Sequence, residues 1–582
     1  MYGQDKYYAP AARRKEIKEN RFYTECLEPA ESIKAMVENS ADKFAGRNAF
    51  GIRVGEGQFK YITFKEFKNQ IDALGTAFVE MGLKGRHIAV IGENSYEWCL
   101  AWMAVVCGTG VVCNLDRELS VEELGVLLGK GDISAVVYSK DVAAKIEEVR
   151  QTRSDIAYIC MQESESDPCL PKLIQRGAMG ILAGNREFVD AKIDRNAFAV
   201  LLFTSGTSGS AKGVMLSNKN ICSDVWSMDQ RNDLQPDDTF LTFLPLHHIL
   251  QCSLSFVHPV YAGCCNYFSR GVRYLLKDLQ EVKPTMFFAV PLVVETFYTQ
   301  MMLKIKQKRG GTMALDAGIL ATKALGAVGV NLEKRMFKQV HEMFGGRLRF
   351  LMCGAAPLLP IAQVTLRNMG VIVGTGYGLT ETSPVNTSEY RDVYRPGSSG
   401  PALVGVKIKI DNPDENGVGE ICVKGDNVML GYYKDPEATA AVMKNGWFHS
   451  GDLGYLDKEG WLFVTGREKN VIVLKNGKKI SPEEMETVLN RELSILECIV
   501  EGEENPVTKD VAIVATIVPD YESIKRLNLC DPDDAFAVEK LVRADVEKVN
   551  KTLVGYKRIS KWVIRREEFE KTTTRKIKRY KK

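Results

Sequence analysis

The chain has 582 residues, of which 45% are hydrophobic and 26% charged, a globular composition long enough for two or more domains. Disorder, collagen-like repeats and coiled-coil rods are excluded. The 77 basic residues against 74 acidic ones leave a net charge of +3, too small to drive nucleic-acid or membrane binding. The 14 cysteines form no C-x-x-C pair and the six histidines no H-x-x-x-H spacing, so free thiols in a reducing, cytoplasmic setting are expected.

The first twenty residues contain no apolar run, so no signal peptide or N-terminal anchor is expected. Strands read at 87–91 and 110–115 alternate with helices, the first opened by Asn94-Ser95 and the next by the capping box Ser120-Val-Glu-Glu123. The strands SAVVYS and IAYICM flank the helix DVAAKIEEVRQ. This rhythm predicts a doubly wound, mainly parallel α/β sheet. It restarts after Asn196 with AFAVLLF, LTFLPL, CCNYF, TMFFAV and LRFLMCG, which predicts a second such sheet.

Residues 239–269 carry no charge over the length of a membrane span, but Pro245, Gln251, Pro259, Gly263 and Asn266 interrupt them, so a buried strand–helix–strand is expected. Within that stretch Leu246, Leu250, Phe256 and Val257 suit an apolar pocket and simple core packing equally. The insert at 308–331 reads as a helical excursion. Beyond Tyr394, Gly, Pro and Asp punctuate short strands (VKIKID, GEICVKG), a β texture. After Gly466-Arg467 come a hairpin, VIVLKNGKKI, and Ser481-Pro-Glu-Glu484, which predicts an N-cap, a first-turn proline and a capping box. The domain boundary is placed at 466–470.

The sharpest signal is LLFTSGTSGSAKG, 201–213. An apolar strand runs into Thr204, Ser205, Gly206, Thr207, Ser208 and Gly209, followed by Lys212. Glycines admit an anion close to backbone N–H groups, hydroxyls donate further hydrogen bonds, and the lysine adds a point charge, which together make a polyphosphate cradle. The spacing fits neither the P-loop nor the kinase glycine loop.

This loop resembles the phosphate-binding motif of the adenylate-forming superfamily, T-S-G-T-T-G-x-P-K-G, with Ser208 for the second threonine and Ala211 for proline. The resemblance continues in order over about residues 40–580: Gly354-Ala355-Ala356-Pro357, Tyr377-Gly378-Leu-Thr380-Glu381, Ser450-Gly-Asp452, Gly466-Arg467 with Lys469, and Lys576-Ile-Lys-Arg579. It implies a multidomain α/β fold. A large N-terminal domain, 1–466, would hold two doubly wound sheets and a distorted β-barrel; a hinge at 467–470 would join it to a small mobile α+β domain, 471–582.

The resemblance also implies roles. Lys212 and the loop from Thr204 to Gly209 hold the ATP phosphates. Glu381 and Thr204 serve magnesium, and Thr380 meets the α-phosphate. Tyr377 and Gly378, with Gly354, Ala355 and Ala356, take the adenine. Asp452, assisted by Arg467, takes the ribose, and His248 lines the acid entrance or packs as a core histidine. Lys576 bridges the acid and the α-phosphate, with Lys571 and Lys578 as alternatives because the lead-in to the motif is degenerate. Lys469 is the hinge residue. Gly477 borders the coenzyme A path, near Lys478 and Lys479.

Residues 286–310 and the insert resemble long-chain fatty acyl-CoA synthetases, with Leu292 where that branch carries arginine. The implied reaction joins a medium- or long-chain fatty acid to coenzyme A through acyl-AMP, using ATP and magnesium. An acyl carrier protein is the alternative acceptor, and a non-catalytic nucleotide-binding regulator the alternative class. Peripheral contact with a membrane surface is compatible with the fatty acid.

Overall fold

The computed structural model describes residues 29–204, 211–232, 234–308, 310–327, 329–330, 332–474, 478–504, 510–571, 577 and 579. The chain divides into two units, Met1–Ile408 with Val423–Phe448, and Lys409–Cys422 with His449–Lys582.

In the first unit the apolar runs become a seven-stranded sheet in the order Gly431–Tyr432, Lys212–Ser217, Phe198–Thr204, Val111–Leu115, His87–Ile91, Ile133–Tyr138, Ala157–Cys160. From Phe198–Thr204 onward the strands are parallel, and the two at the other edge are antiparallel. Ile88 to Ile91 are fully buried, as expected where helices cover both faces. Ser95 caps the helix Tyr96–Ala104 by accepting from the Trp98 amide, and both bonds of the Ser120/Glu123 capping box form. Such caps contribute about 1 kcal/mol each. The helix Leu170–Leu182 crosses Phe64–Glu80 at Gly177, where a Cβ would lie 1.8 Å from the Ala73 carbonyl oxygen. Any side chain there would push the helices apart.

The second sheet has eight strands, ordered Thr387–Ser388, Val373–Tyr377, Phe350–Cys353, Met286–Ala289, Thr239–Thr242, Cys265–Phe268, Asn48–Gly55, Gln58–Thr63. All neighbours are parallel except at the two edges. The uncharged stretch is strand, helix and strand, its helical part turning through a π-helical segment at Ser253–Val257. No helix among the described residues is long and apolar enough to cross a membrane. Leu246, Phe256 and Val257 are core, Phe256 packing its ring at 5.7 Å from Trp102, while Leu250 is half-buried. The insert contains the helix Gly311–Ala327.

Where a distorted barrel is expected, the described residues form an open five-stranded sheet: Lys407–Asp411, Gly419–Lys424, Trp447–Leu456 and Met443–Lys444 in order, with Leu462–Arg467 also on Trp447–Leu456. In the second unit Ile495–Glu504 pairs antiparallel with Val511–Pro519, which pairs parallel with Lys561–Ile564. The helix Ala535–Thr552 buries Val538, Val542, Val546 and Val549, one stripe at helical spacing. Full burial of each valine is worth about 1.5 kcal/mol or more. The hairpin forms between Ile472–Val473 and Lys479–Ile480.

One cap differs from expectation. Pro482 opens the helix Pro482–Leu489 after Ser481, but Ser481 makes no side-chain cap. Glu484, the acidic member of the expected box, is paired with Lys557 at 2.6 Å.

Candidate functional site

The candidates of the first unit gather at the C-terminal ends of strands, the edge at which open α/β sheets bind ligands. Thr204 ends its strand, Gly354–Ala356 follow Phe350–Cys353, and Tyr377 closes Val373–Tyr377. The last two strands are parallel neighbours with Cys353 opposite Thr375, so Gly354 and Tyr377 leave the sheet side by side. Ala355 has a φ of +72°, a left-handed conformation that costs a residue bearing a Cβ about 1–2 kcal/mol. At Gly378 a Cβ would lie 1.7 Å from the Pro384 carbonyl oxygen, so only glycine lets the chain turn into Thr380–Thr382.

Thr204 lies opposite Lys212 in an antiparallel ladder, and its hydroxyl faces the Lys212 carbonyl at 3.4 Å. The loop thus joins two antiparallel strands, whereas a P-loop leads from strand to helix. Ser205, Gly206, Thr207, Ser208 and Gly209 lie outside the described residues, as do Gly477, Lys576 and Lys578.

Tyr432 was not legible as a site residue, yet it joins two that were. Its hydroxyl donates to Glu381 Oε1 at 2.9 Å, and its ring lies 4.8 Å from Lys212 Nζ. The short strand Gly431–Tyr432 brings it there by pairing Tyr432 with Val214, two residues along the same face from Lys212. Burial, and then the Glu381 carboxylate, push the Tyr432 phenol above its ordinary range, so it stays a proton donor. Lys212 and Glu381 are therefore held close to one aromatic side chain without neutralising each other. A half-buried carboxylate with one oxygen occupied by a phenol suits a hard divalent cation on the other.

His248 opens the helix Ile249–Cys252 without a side-chain cap, its ring 4.2 Å from that of His247. Burial pulls the His247 imidazole down to about 3, so this ring is neutral near pH 7. Its Nε2 lies 3.5 Å from Asp116, and its carbonyl accepts from Asn114. Leu250, one helical step on, comes 3.7 Å from where a Cβ on Gly354 would be. Leu292 is exposed, and Glu295, one turn further, accepts from the Leu359 amide.

In the second unit Asp452 and Arg467 stand opposite each other on paired strands, with Arg467 Nε 2.8 Å from Asp452 Oδ1. Asp452 is buried and the Arg467 side chain is 42% exposed. Gly466 packs against Ser481 and Glu483, and Glu483 accepts from Asn470 at 2.6 Å. Burial, then Arg467, lower the pKa of Lys469, which lies in Glu468–Asn470. Lys478 rests over the Tyr556 ring at 4.1 Å. Lys571 is bound to Glu497 at 2.7 Å and to Glu568; burial lowers its pKa, but these pairs outweigh it and leave it raised. Lys571 and Ile577 form an antiparallel bridge, and Arg579 grips Glu486.

The family model described as AMP-binding enzyme matches residues 37–433, and that of the AMP-binding enzyme C-terminal domain matches 469–581. A relative, long-chain-fatty-acid–CoA ligase 1 of Cavia porcellus, is 27% identical over 510 residues, covering 81% of this chain and 72% of that protein. Among solved structures, the anthranilate CoA ligase AuaEII with anthranoyl-AMP superposes with a TM-score of 0.73 at 18% identity, covering 95% of this chain and 96% of that one. The o-succinylbenzoate coenzyme A synthetase of Bacillus subtilis, in complex with ATP and magnesium ion, gives 0.70 at 22%, covering 94% and 98%. These two share the fold. With the family model spanning more than half of its length, the chain belongs to the AMP-binding, adenylate-forming enzymes.

Proposed function

We propose that this protein is an acyl-CoA ligase that activates a medium- or long-chain fatty acid with ATP and transfers it to coenzyme A, releasing AMP and pyrophosphate. The observation that carries the reading is the trio Lys212, Tyr432 and Glu381, a cation and a carboxylate kept apart on one tyrosine beside the hydroxyl-rich loop.

A carboxylate is a poor acyl donor because oxide would have to leave. Attack on the α-phosphate of ATP gives acyl-AMP and expels pyrophosphate, which makes AMP the later leaving group. Two anions meet in that step, and like charges at ~4 Å repel by about 4 kcal/mol at an effective dielectric near 20. Lys212 offsets this at the β- and γ-phosphates, with the backbone and hydroxyls of 204–209 around them. Glu381 would hold magnesium, which would supply positive charge against the phosphates. Thr380 donates to the α-phosphate, and Tyr377 stacks on adenine next to Gly354–Ala356. Asp452 accepts from the ribose hydroxyls, Arg467 orienting it. Lys576 bridges the attacking carboxylate and the α-phosphate; Lys571 suits this less, because Glu497 and Glu568 hold its ammonium.

We place the hinge at 467–470, between domains 1–466 and 471–582, with Lys469 at its centre and Gly477 on the thioester side. The long-chain reading is supported by the fatty-acid ligase among its relatives. We place the enzyme in the cytoplasm, reaching membrane-held fatty acid from the surface. A carrier protein replaces coenzyme A as acceptor only if the thiol test below fails.

The test incubates the protein with ATP, magnesium and acetate, octanoate, palmitate or benzoate, with and without coenzyme A, and reads AMP and thioester by mass spectrometry. Palmitoyl-CoA with matching AMP is expected. Acyl-AMP accumulating regardless of coenzyme A moves the acceptor to a carrier protein, and no AMP from any acid sinks the ligase reading. Lys576→Ala should lower acyl-AMP formation by about a hundredfold or more while sparing thioester formation from supplied acyl-AMP.

A further inference from the structure

Three residues before Asp452 on its strand, and on two neighbouring strand segments of the second unit, four ligand-type side chains come together. Asp411 ends Lys407–Asp411; Glu420 and Cys422, two apart and so on one face, lie on Gly419–Lys424; His449 lies on Trp447–Leu456. These strands are neighbours in that order. One ligand atom from each of Asp411, Glu420, Cys422 and His449 lies within 4.8 Å of all the others. Cys422 is buried, and the other three are half-buried and reachable.

We propose that Asp411, Glu420, Cys422 and His449 form a tetrahedral site for a zinc ion. The spacing suits it. Cys422 Sγ and His449 Nδ1 are 3.4 Å apart. Zinc–nitrogen and zinc–sulfur bonds of about 2.0 and 2.3 Å at the tetrahedral angle put those atoms about 3.5 Å apart. His449 Nδ1 and Glu420 Oε2 are 2.7 Å apart, so their hydrogen bond gives way to two bonds to the metal. Glu420 is aimed by its other oxygen, which accepts from the Gly451 amide at 2.9 Å. A thiolate and an imidazole among carboxylates favour zinc over magnesium or calcium, which prefer all-oxygen shells.

Binding needs no oxidant. The Cys422 thiol releases its proton to solvent and binds as thiolate, and His449 binds as neutral imidazole with its proton on Nε2. Without metal Asp411 holds an internal cation, for Lys409 Nζ lies 2.8 Å from its Oδ1. That side chain is 37% exposed and can swing into solvent when the ion enters. Such a site escapes motif reading because its ligands lie up to 38 positions apart and only two share a strand.

The test uses the full chain, stripped with chelator, titrated with Co²⁺ and then Zn²⁺, and does not depend on ligase activity. One equivalent of Co²⁺ should bind with a thiolate-to-cobalt absorption band that Zn²⁺ displaces. Cys422→Ser should abolish the band. Cys422→Ser and His449→Gln should each weaken Zn²⁺ binding more than about tenfold, since even outer-shell partners of a metal ligand are worth 10–100-fold. Lys409→Met should tighten binding severalfold, and Cys530→Ser, a half-buried thiol outside the cluster, should change nothing. Should Cys422→Ser fail to fold, Asp411→Asn must keep the band and weaken binding. No stoichiometric binding, a band surviving Cys422→Ser, or Zn²⁺ affinity unchanged in His449→Gln and Asp411→Asn would overturn the proposal.

Discussion

The two units treat their charged candidates in opposite ways. In the first, Lys212 and Glu381 meet the same tyrosine through its ring and its hydroxyl, so both charges stay available to a ligand. In the second, Asp452 and Arg467 touch directly at 2.8 Å and satisfy each other. A neutral bridge presents charge; an ion pair stores it. The Arg467 end of the pair is partly exposed, whereas Asp452 is buried. The proposed roles fit this contrast: phosphates need standing charge, whereas a ribose needs only an acceptor of fixed direction, the part proposed for Asp452 with Arg467 beside it.

That contrast can be broken in graded steps. Lys212→Ala should lower kcat/KM for ATP by about 10²–10³, the loss typical of removing one group that stabilises transition-state charge. An effect no larger than that of the tyrosine variant below would remove Lys212 from the phosphates. Asp452→Asn should raise the KM for ATP roughly 10–100-fold with kcat changed less, as losing charge-assisted hydrogen bonds of about 1.5–3 kcal/mol implies. A kcat effect alone would end the ribose assignment. Tyr432→Phe keeps the ring beneath Lys212 and deletes only the bond to Glu381. It should cost about tenfold or less, seen first as a higher magnesium requirement. Tyr432→Ala should cost more, because Lys212 loses its support as well.

A further prediction concerns stability and not catalysis. Burial pushes the Glu486 carboxyl up to about 7 from an ordinary 4.5, although Arg579 and the Val500 amide oppose this. Between those values the folded chain keeps a proton that the unfolded chain releases, so stability falls as pH rises across that window and levels above it. Glu486→Gln should remove this slope. Thermal unfolding of both proteins at about pH 5 and about pH 8 would show the wild type losing ground to the variant as pH rises. A gap that does not move would show that Glu486 titrates normally.

Local chemistry announced many elements. The capping box at 120–123, the Ser95 cap and the buried runs at 87–91, 111–115 and 198–204 appear where short-range patterning puts them. At 481–484 the serine cap does not form, and Glu484 pairs instead with Lys557, over seventy residues away in sequence. Tyr432 carried no signal of its own. Its place depends on a two-residue strand pairing with one more than two hundred residues earlier.

By itself the sequence determined the α/β class, the two-sheet rhythm and the family, since each is written in short patterns that are local to their own stretch of chain. Only the tertiary structure decided that Phe256 and Val257 are core, that Lys571 is engaged by Glu497, and that Lys212 and Glu381 share a tyrosine. The physical reason is that burial and charge pairing depend on which distant strands become neighbours. Sheet order follows from the packing of the whole core and is absent from the periodicity of any one strand.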